Sequence, residues 1–187
     1  MSKKGMIAVI VVVLVVLIAV PVGGYNSLVS MQTEVEAQTS NIDTQLQRRN
    51  DLIPNLVNTV KGFTDHETAV FDAVTKARES MMSAGTMEEK AAANEEVTSA
   101  LNRLIAVAEA YPELKSDTVY VGLMDELAGT ENRIAYARTD YNAAVTRYNA
   151  SIRKFPTVIF ANLFGFTKAE FFEAAEGAEK VPEVKFE

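Results

Sequence analysis

Apolar residues recur along most of this chain at alternating steps of three and four, the spacing of one buried face on an α-helix. Leu28, Met31, Val35, Ile42 and Leu46 open the pattern. Ile53, Leu56, Val60, Phe63, Val70, Val74, Ala77 and Met81 continue it, and one heptad register serves from Ile42 to Met81 with polar interruptions at Arg49 and Glu67. A second stripe holds Met87, Ala91, Thr98, Leu101, Ile105 and Ala108. A third runs through Tyr120, Leu123, Leu127, Ile134, Tyr141, Val145, Tyr148, Ile152 and Phe155. No alternating strand pattern of useful length competes with these. The expected fold class is all-α, with an N-terminal transmembrane helix followed by an up-and-down bundle of three or four long antiparallel helices.

The breaks are placed by local chemistry. "SMMSAGTMEEK" carries the first clear turn, with Gly85 as the stop, Thr86 as N-cap and Glu89 completing a capping box. Pro112 disfavours continuation of the second stripe, and the third begins near Ser116 or Asp117. Pro54 leaves two readings open: a kink in one long helix, or a break with Asn50 or Asp51 capping a new one. Both turn the same residues inward. "PVGG" at 21–24 reads as a kink or hinge.

The N-terminus is different in kind. Met6 to Val22 holds no charged or strongly polar side chain, and Gly23, Gly24 and Tyr25 can carry the helix into a membrane interface. A cleaved signal peptide is the rival, but the apolar stretch exceeds a usual signal core and no A-x-A site follows it. Residues 1–5 then form a short tail, 6–24 a transmembrane helix, 25–155 the bundle and 156–187 an aromatic C-terminal segment. Lys3 and Lys4 precede the span and the next basic residue is Arg48. The positive-inside rule therefore puts the N-terminus in the cytoplasm and the bundle in the periplasm or outside the cell, with the chain single-pass in the inner membrane.

Composition narrows function mainly by exclusion. A formal net charge of -7 with no dense basic cluster argues against nucleic-acid binding. Cysteine is absent, which removes thiolate nucleophiles, thiolate metal sites and disulfides. His66 is the only histidine. The zinc-peptidase helix motif would need a second one at position 70, which is valine. No phosphate loop or nucleophile setting stands out, so no catalytic residue, cofactor or metal is expected.

Two residue sets merit naming. Asp43, Arg48, Arg49 and Asp51 on the first stripe, with Glu131 and Arg138 on the third, could pair across helices as a polar seam that fixes register. The plainer reading has these arginines lay their stems on the seam and their heads in water. Seven of the nine phenylalanines fall from Phe155 onward. Phe160, Phe164, Phe166, Phe171, Phe172 and Phe186 are thus a candidate interaction surface, with "KAEFFEAAEGAEK" as a short amphipathic helix. Their cover would be the bundle's own end, a neighbouring subunit or, third, a membrane surface.

"YNSLV", "IDTQLQRRNDLIPNLVNTVKGFTDHE", "YPELKS", "TENRIAYARTDYNAAVTRYN" and the "FP…GF…FFE" ending occur in that order over nearly the whole chain. Together they resemble the LemA family, and the "RRNDLIPNLV" block is quite specific. The resemblance implies a bacterial membrane-anchored helical bundle without established catalytic activity. It also implies frequent occurrence beside membrane zinc peptidases and, in one branch, a part in magnetosome-membrane formation. The expected function is a non-enzymatic, self-associating scaffold or adaptor of the bacterial envelope. It would touch lipid through its N-terminal helix, form homo-oligomers and have a zinc peptidase encoded nearby as a candidate membrane-protein partner. The alternatives are a membrane-shaping or membrane-binding module and, behind it, a metal-dependent hydrolase built on bundle carboxylates.

Overall fold

In the computed structural model, which describes residues 3–64 and 66–173, every described element is an α-helix. These are α1 (Lys3–Lys61), α2 (Thr68–Ser83), α3 (Met87–Glu109), the single turn α4 (Pro112–Lys115), α5 (Thr118–Ser151) and α6 (Thr157–Phe164). The chain divides into two compact units. One holds the residues up to Thr39 with Asp140–Ala169, and the other holds Ser40–Thr139 with the residues from Glu170 on.

The second unit is the four-helix bundle the periodicity predicts. Hydrogen bonds and ion pairs from α1 to the segment of α3 and its following turn climb in step: Asp43 with Lys90, Arg49 with Asn94 and Thr98, Thr64 with Tyr111. These helices are therefore parallel. Asn50 and Lys61 of α1 meet Arg78 and Phe71 of α2 in reverse order, so that pair is antiparallel. The core is built from Ile42, Leu46, Ile53, Leu56, Val60, Val74, Val97, Leu104, Leu114 and Ile134, all at most 4% exposed.

Helix α1 passes Pro54 without a break. Proline has no N–H, so the carbonyl of Asn50, four residues back, loses its helical partner. Arg78 Nε donates to that carbonyl at 3.4 Å, so α2 supplies what the proline withholds. Pro21, Gly23 and Gly24 also lie inside α1, so the hinge expected there is not formed. An isolated apolar segment has no better way than a helix to pair its backbone groups.

The first break falls earlier than expected, at Gly62–Glu67. The heptad register that places Phe63 on the seam and is interrupted at Glu67 does not continue through this turn. Gly62 N–H donates to the carbonyls of Asn58 and Thr59, closing α1. Thr64, 6% exposed, accepts from the Tyr111 hydroxyl at 3.0 Å, while Phe63 turns outward. The turn at 84–86 is as expected. Thr86 Oγ1 accepts from Glu89 N–H, and Glu89 Oε2 accepts from the N–H groups of Gly85 and Thr86 at 2.7 and 3.0 Å. Those bonds hold the Glu89 carboxyl below its ordinary value, the Thr86 N–H contributing most. Asp117 caps α5 by accepting from Val119 and Tyr120 N–H.

The first unit pairs α1 with the end of α5 and with α6. Leu28, Tyr141, Ala144, Val145, Tyr148 and Ala161 fill its interior, and Glu34 pairs with Arg147. The N-terminal part of α1 is apolar and bare: among the described residues none of its most apolar window is buried. This helix is long and apolar enough to cross a membrane.

Candidate functional site

Arg49 is the polar centre of the bundle. It is 5% exposed and occupies the seam position between Leu46 and Ile53. Its Nη1 donates to Asn94 Oδ1 at 2.7 Å and lies 3.0 Å from Glu131 Oε2, while its Nη2 donates to Thr98 Oγ1 at 3.0 Å. Burial draws the guanidinium below its ordinary range, and the nearby Glu131 and Glu95 oppose that. A charge in this position is tolerable only because three groups on two other helices meet it. Glu131 itself is half exposed, so this site is a buried guanidinium with one solvated end.

The rest of the expected seam does not converge on it. Asp43 pairs with Lys90 at 2.6 Å, Arg48 with Glu126 at 2.6 Å, and Asp51 accepts from Gln47 one turn back. The Arg48 bond and charge hold the Glu126 carboxyl below its ordinary value. Arg138 sits over the ring of Phe172, 5.6 Å from its centroid. Of the six seam residues only Arg49 and Glu131 meet. Asn94 and Thr98 complete the site, and both sit on the second apolar stripe: Asn94 is three residues past Ala91 and Thr98 three before Leu101. A polar residue on such a stripe signals a buried partner.

The aromatic segment separates into parts. Phe172 is 2% exposed and is a core residue, not part of an open surface. Phe160 and Phe166 are half-buried; Phe164 is 51% exposed. Tyr25 of α1 meets Phe164 and Phe166 edge-on, with ring centroids 4.9 and 5.8 Å away. Phe160 lies over Gly24, where an added Cβ would stand 3.3 Å from its Cδ2. Phe155, placed inward by the third stripe, is 81% exposed because α5 ends at Ser151 before reaching it. Phe171 is half-buried. Residues 166–173 are not helical, so the helix expected from Lys168 does not form at its start, and the remainder of that stretch and Phe186 lie outside the described residues.

Asn149 ties this segment down. Its Nδ2 donates to the Ala169 carbonyl and its Oδ1 accepts from Ala169 N–H, both at 2.9 Å. Tyr148 beside it is buried, which raises its hydroxyl above the ordinary value. Among the described residues no group of three or more His, Cys, Asp or Glu side chains could hold a metal ion. A shallow cleft of about 160 Å³ between α1, α2 and the start of α3 is lined by Asp43, Leu46, Gln47, Asn50, Met81, Met82 and Lys90.

Residues 38–186, from the bundle through the tail, match the profile of the LemA family. The chain belongs to the LemA family. It is 31% identical over 175 residues to magnetosome protein MamQ 2 of Paramagnetospirillum magneticum, across 80% of this chain and 64% of that protein. It is 29% identical over 193 residues to magnetosome protein MamQ of Magnetospirillum gryphiswaldense, across 89% and 71%. Protein LemA of Metamycoplasma hominis is 24% identical over 159 residues, across 83% and 71%. The chain thus spans under two thirds of the length of the MamQ 2 relative. A bare apolar helix in a LemA-family chain related to magnetosome proteins fits a membrane-associated protein.

Proposed function

We propose that this LemA-family protein is a single-span scaffold or adaptor of the bacterial inner membrane that self-associates, with its N-terminus in the cytoplasm and its bundle in the periplasm or outside. The observation that carries this reading is the apolar start of α1, unburied among the described residues, on the same helix that supplies Ile42, Ile53 and Val60 to the bundle core. Lys3 and Lys4 before the span, with no base after it until Arg48, support the orientation. The buried polar groups around Arg49 serve one another across α1, α3 and α5. They support a structural role for this cluster rather than a catalytic one.

The exterior of the bundle carries the function in this reading. Tyr136 is 75% exposed and Val119 59%, both on α5 within the bundle unit. Large apolar groups in such positions suit a protein partner, and the first partner proposed is a second copy. A membrane zinc peptidase encoded nearby is the heterologous candidate. Light scattering of the full chain in mild detergent tests self-association: the reading expects a mass of two or more chains after subtraction of detergent. A single-chain mass at all concentrations, with Tyr136→Arg behaving identically, would overturn it.

A further inference from the structure

We propose that α6 is a second membrane contact, lying in the headgroup–acyl boundary of the leaflet where α1 leaves the bilayer. The proposal rests on the membrane-spanning reading of α1 and adds a lipid-binding surface to it.

The depth of α6 is set by its packing. Phe160 rests on Gly24, and Phe164 and Phe166 flank Tyr25. Gly24 and Tyr25 follow the last apolar residue of the span, Val22, by two and three positions, or about 3–5 Å at helical rise. A helix fastened to those residues is fastened at the membrane surface. Its attachment is rigid: Gly165 closes it in a left-handed conformation, Phe166 N–H donates to the Ala161 carbonyl at 2.9 Å, and Asn149 clasps Ala169 just beyond.

The face turned away from α1 has no cover among the described residues. Ile159 is 53% exposed and Leu163 72%, with Phe155 at 81% just before the helix; Phe164 meets Tyr25 on one side and is still 51% exposed. From Phe155 to Thr167 the chain carries no charged side chain, and Arg153, Lys154 and Lys168 bracket that run, all exposed. No Asp or Glu occurs between Asp140 and Glu170, although the chain as a whole is acidic. Apolar and aromatic groups bounded by bases match lipid chains below a layer of phosphates. A soluble acidic partner would meet the bases but leave the apolar face in water. Continuity with the bare apolar surface of α1 favours lipid over a second protein.

The absence of cysteine makes the test direct. The full chain is reconstituted into vesicles of phosphatidylethanolamine and phosphatidylglycerol, with single cysteines at Ile159, Leu163, Val12 and Ala143. Each carries an environment-sensitive fluorophore, and lipids spin-labelled near the glycerol end or at mid-chain serve as quenchers. Val12 reports the span. Ala143, exposed on α5, reports water. The expected result is blue-shifted emission at positions 159 and 163, quenched best by the label near the glycerol, with Val12 quenched best at mid-chain and Ala143 unquenched. Aqueous, unquenched signals at 159 and 163 beside a quenched Val12 would overturn the proposal and leave the anchor standing. A blue shift without lipid quenching would assign the face to protein and overturn it equally. Loss of quenching at Val12 would remove the membrane-spanning reading and the proposal with it.

Discussion

Replacing Asn94 by leucine removes the nearest acceptor of a buried guanidinium while keeping the number and branching of side-chain heavy atoms. The lost bond is charge-assisted, 2.7 Å long and made by the same Nη1 that meets Glu131. Thr98 and Glu131 remain, so the guanidinium is short of one partner rather than stranded. A hydrogen bond to a charged group contributes about 1.5–3 kcal/mol, so Asn94→Leu, at a guanidinium that is 5% exposed, should cost about 2–3 kcal/mol. Glu131→Gln removes the partner whose side chain is 49% exposed; solvent screens that pair, and the cost should stay below about 1 kcal/mol. Arg49→Met alone leaves the Asn94 carbonyl oxygen buried without a donor, at about 1–3 kcal/mol. The double variant Arg49→Met/Asn94→Leu removes charge and acceptor together and should return to within about 1 kcal/mol of the parent, as apolar replacements of buried ionic groups often do. Thermal melts of the full chain in mild detergent, followed by helical circular dichroism, give the four values. The coupling between positions 49 and 94 should reach about 2 kcal/mol or more. An additive double variant, or an Asn94→Leu no worse than Glu131→Gln, would refute the assignment of Arg49 as a buried, multiply held charge.

Three further outcomes are expected. The capping carboxylate of Glu89 has a folded-state pKa below its unfolded value, so its contribution is complete above about 4.5, the ordinary carboxylate value, and is lost as pH falls through the lower folded value; the gap in melting temperature between the parent and Glu89→Gln should therefore be wide at neutral pH and close on acidification. Phe172→Ala should cost about 3–5 kcal/mol as a buried aromatic, a fall of about 6–20 °C at roughly 2–4 °C per kcal/mol for a chain of this size, whereas Leu163→Ala in the same detergent should leave the melt unchanged. Gly24→Ala asks Phe160 to yield by a few tenths of an ångström and should be mild, but Gly24→Leu overpacks the contact by about 1–3 kcal/mol and should speed tryptic cleavage at Arg153 and Lys154.

The seams of α1, α3 and α5 were legible because burial repeats at the helical period: Leu28, Ile42, Leu46, Ile53, Leu56 and Val60 are all interior. Thr86 and Glu89 were legible because a capping box is local, four residues long, and owes nothing to the tertiary fold. The break at Gly62–Glu67 was hidden by Phe63, whose apolar side chain preserved the register while pointing outward. Gly62 and the polar run after it were the available signal. Long-range partners lay beyond reach. Nothing in the spacing tells that Asp43 will meet Lys90, or Arg48 meet Glu126, since those pairs are created by helix packing. The tail shows the same limit: Phe164 and Phe172 are both tail phenylalanines, yet one is half exposed and the other enclosed with Arg138 over its ring. The passage of α1 through Pro54 depends likewise on Arg78, a residue from another helix.

Photocrosslinking in the native membrane tests most directly the proposal that the anchored bundle works through its exterior. A photoreactive amino acid at Tyr136 or at Val119 in the full chain should yield, on irradiation of intact cells, a discrete band containing two copies of the chain. The same group at the enclosed Val97 should yield none. Monomer alone from both exposed positions, in cells where the protein is membrane-bound, would contradict the claim that this surface exists for assembly.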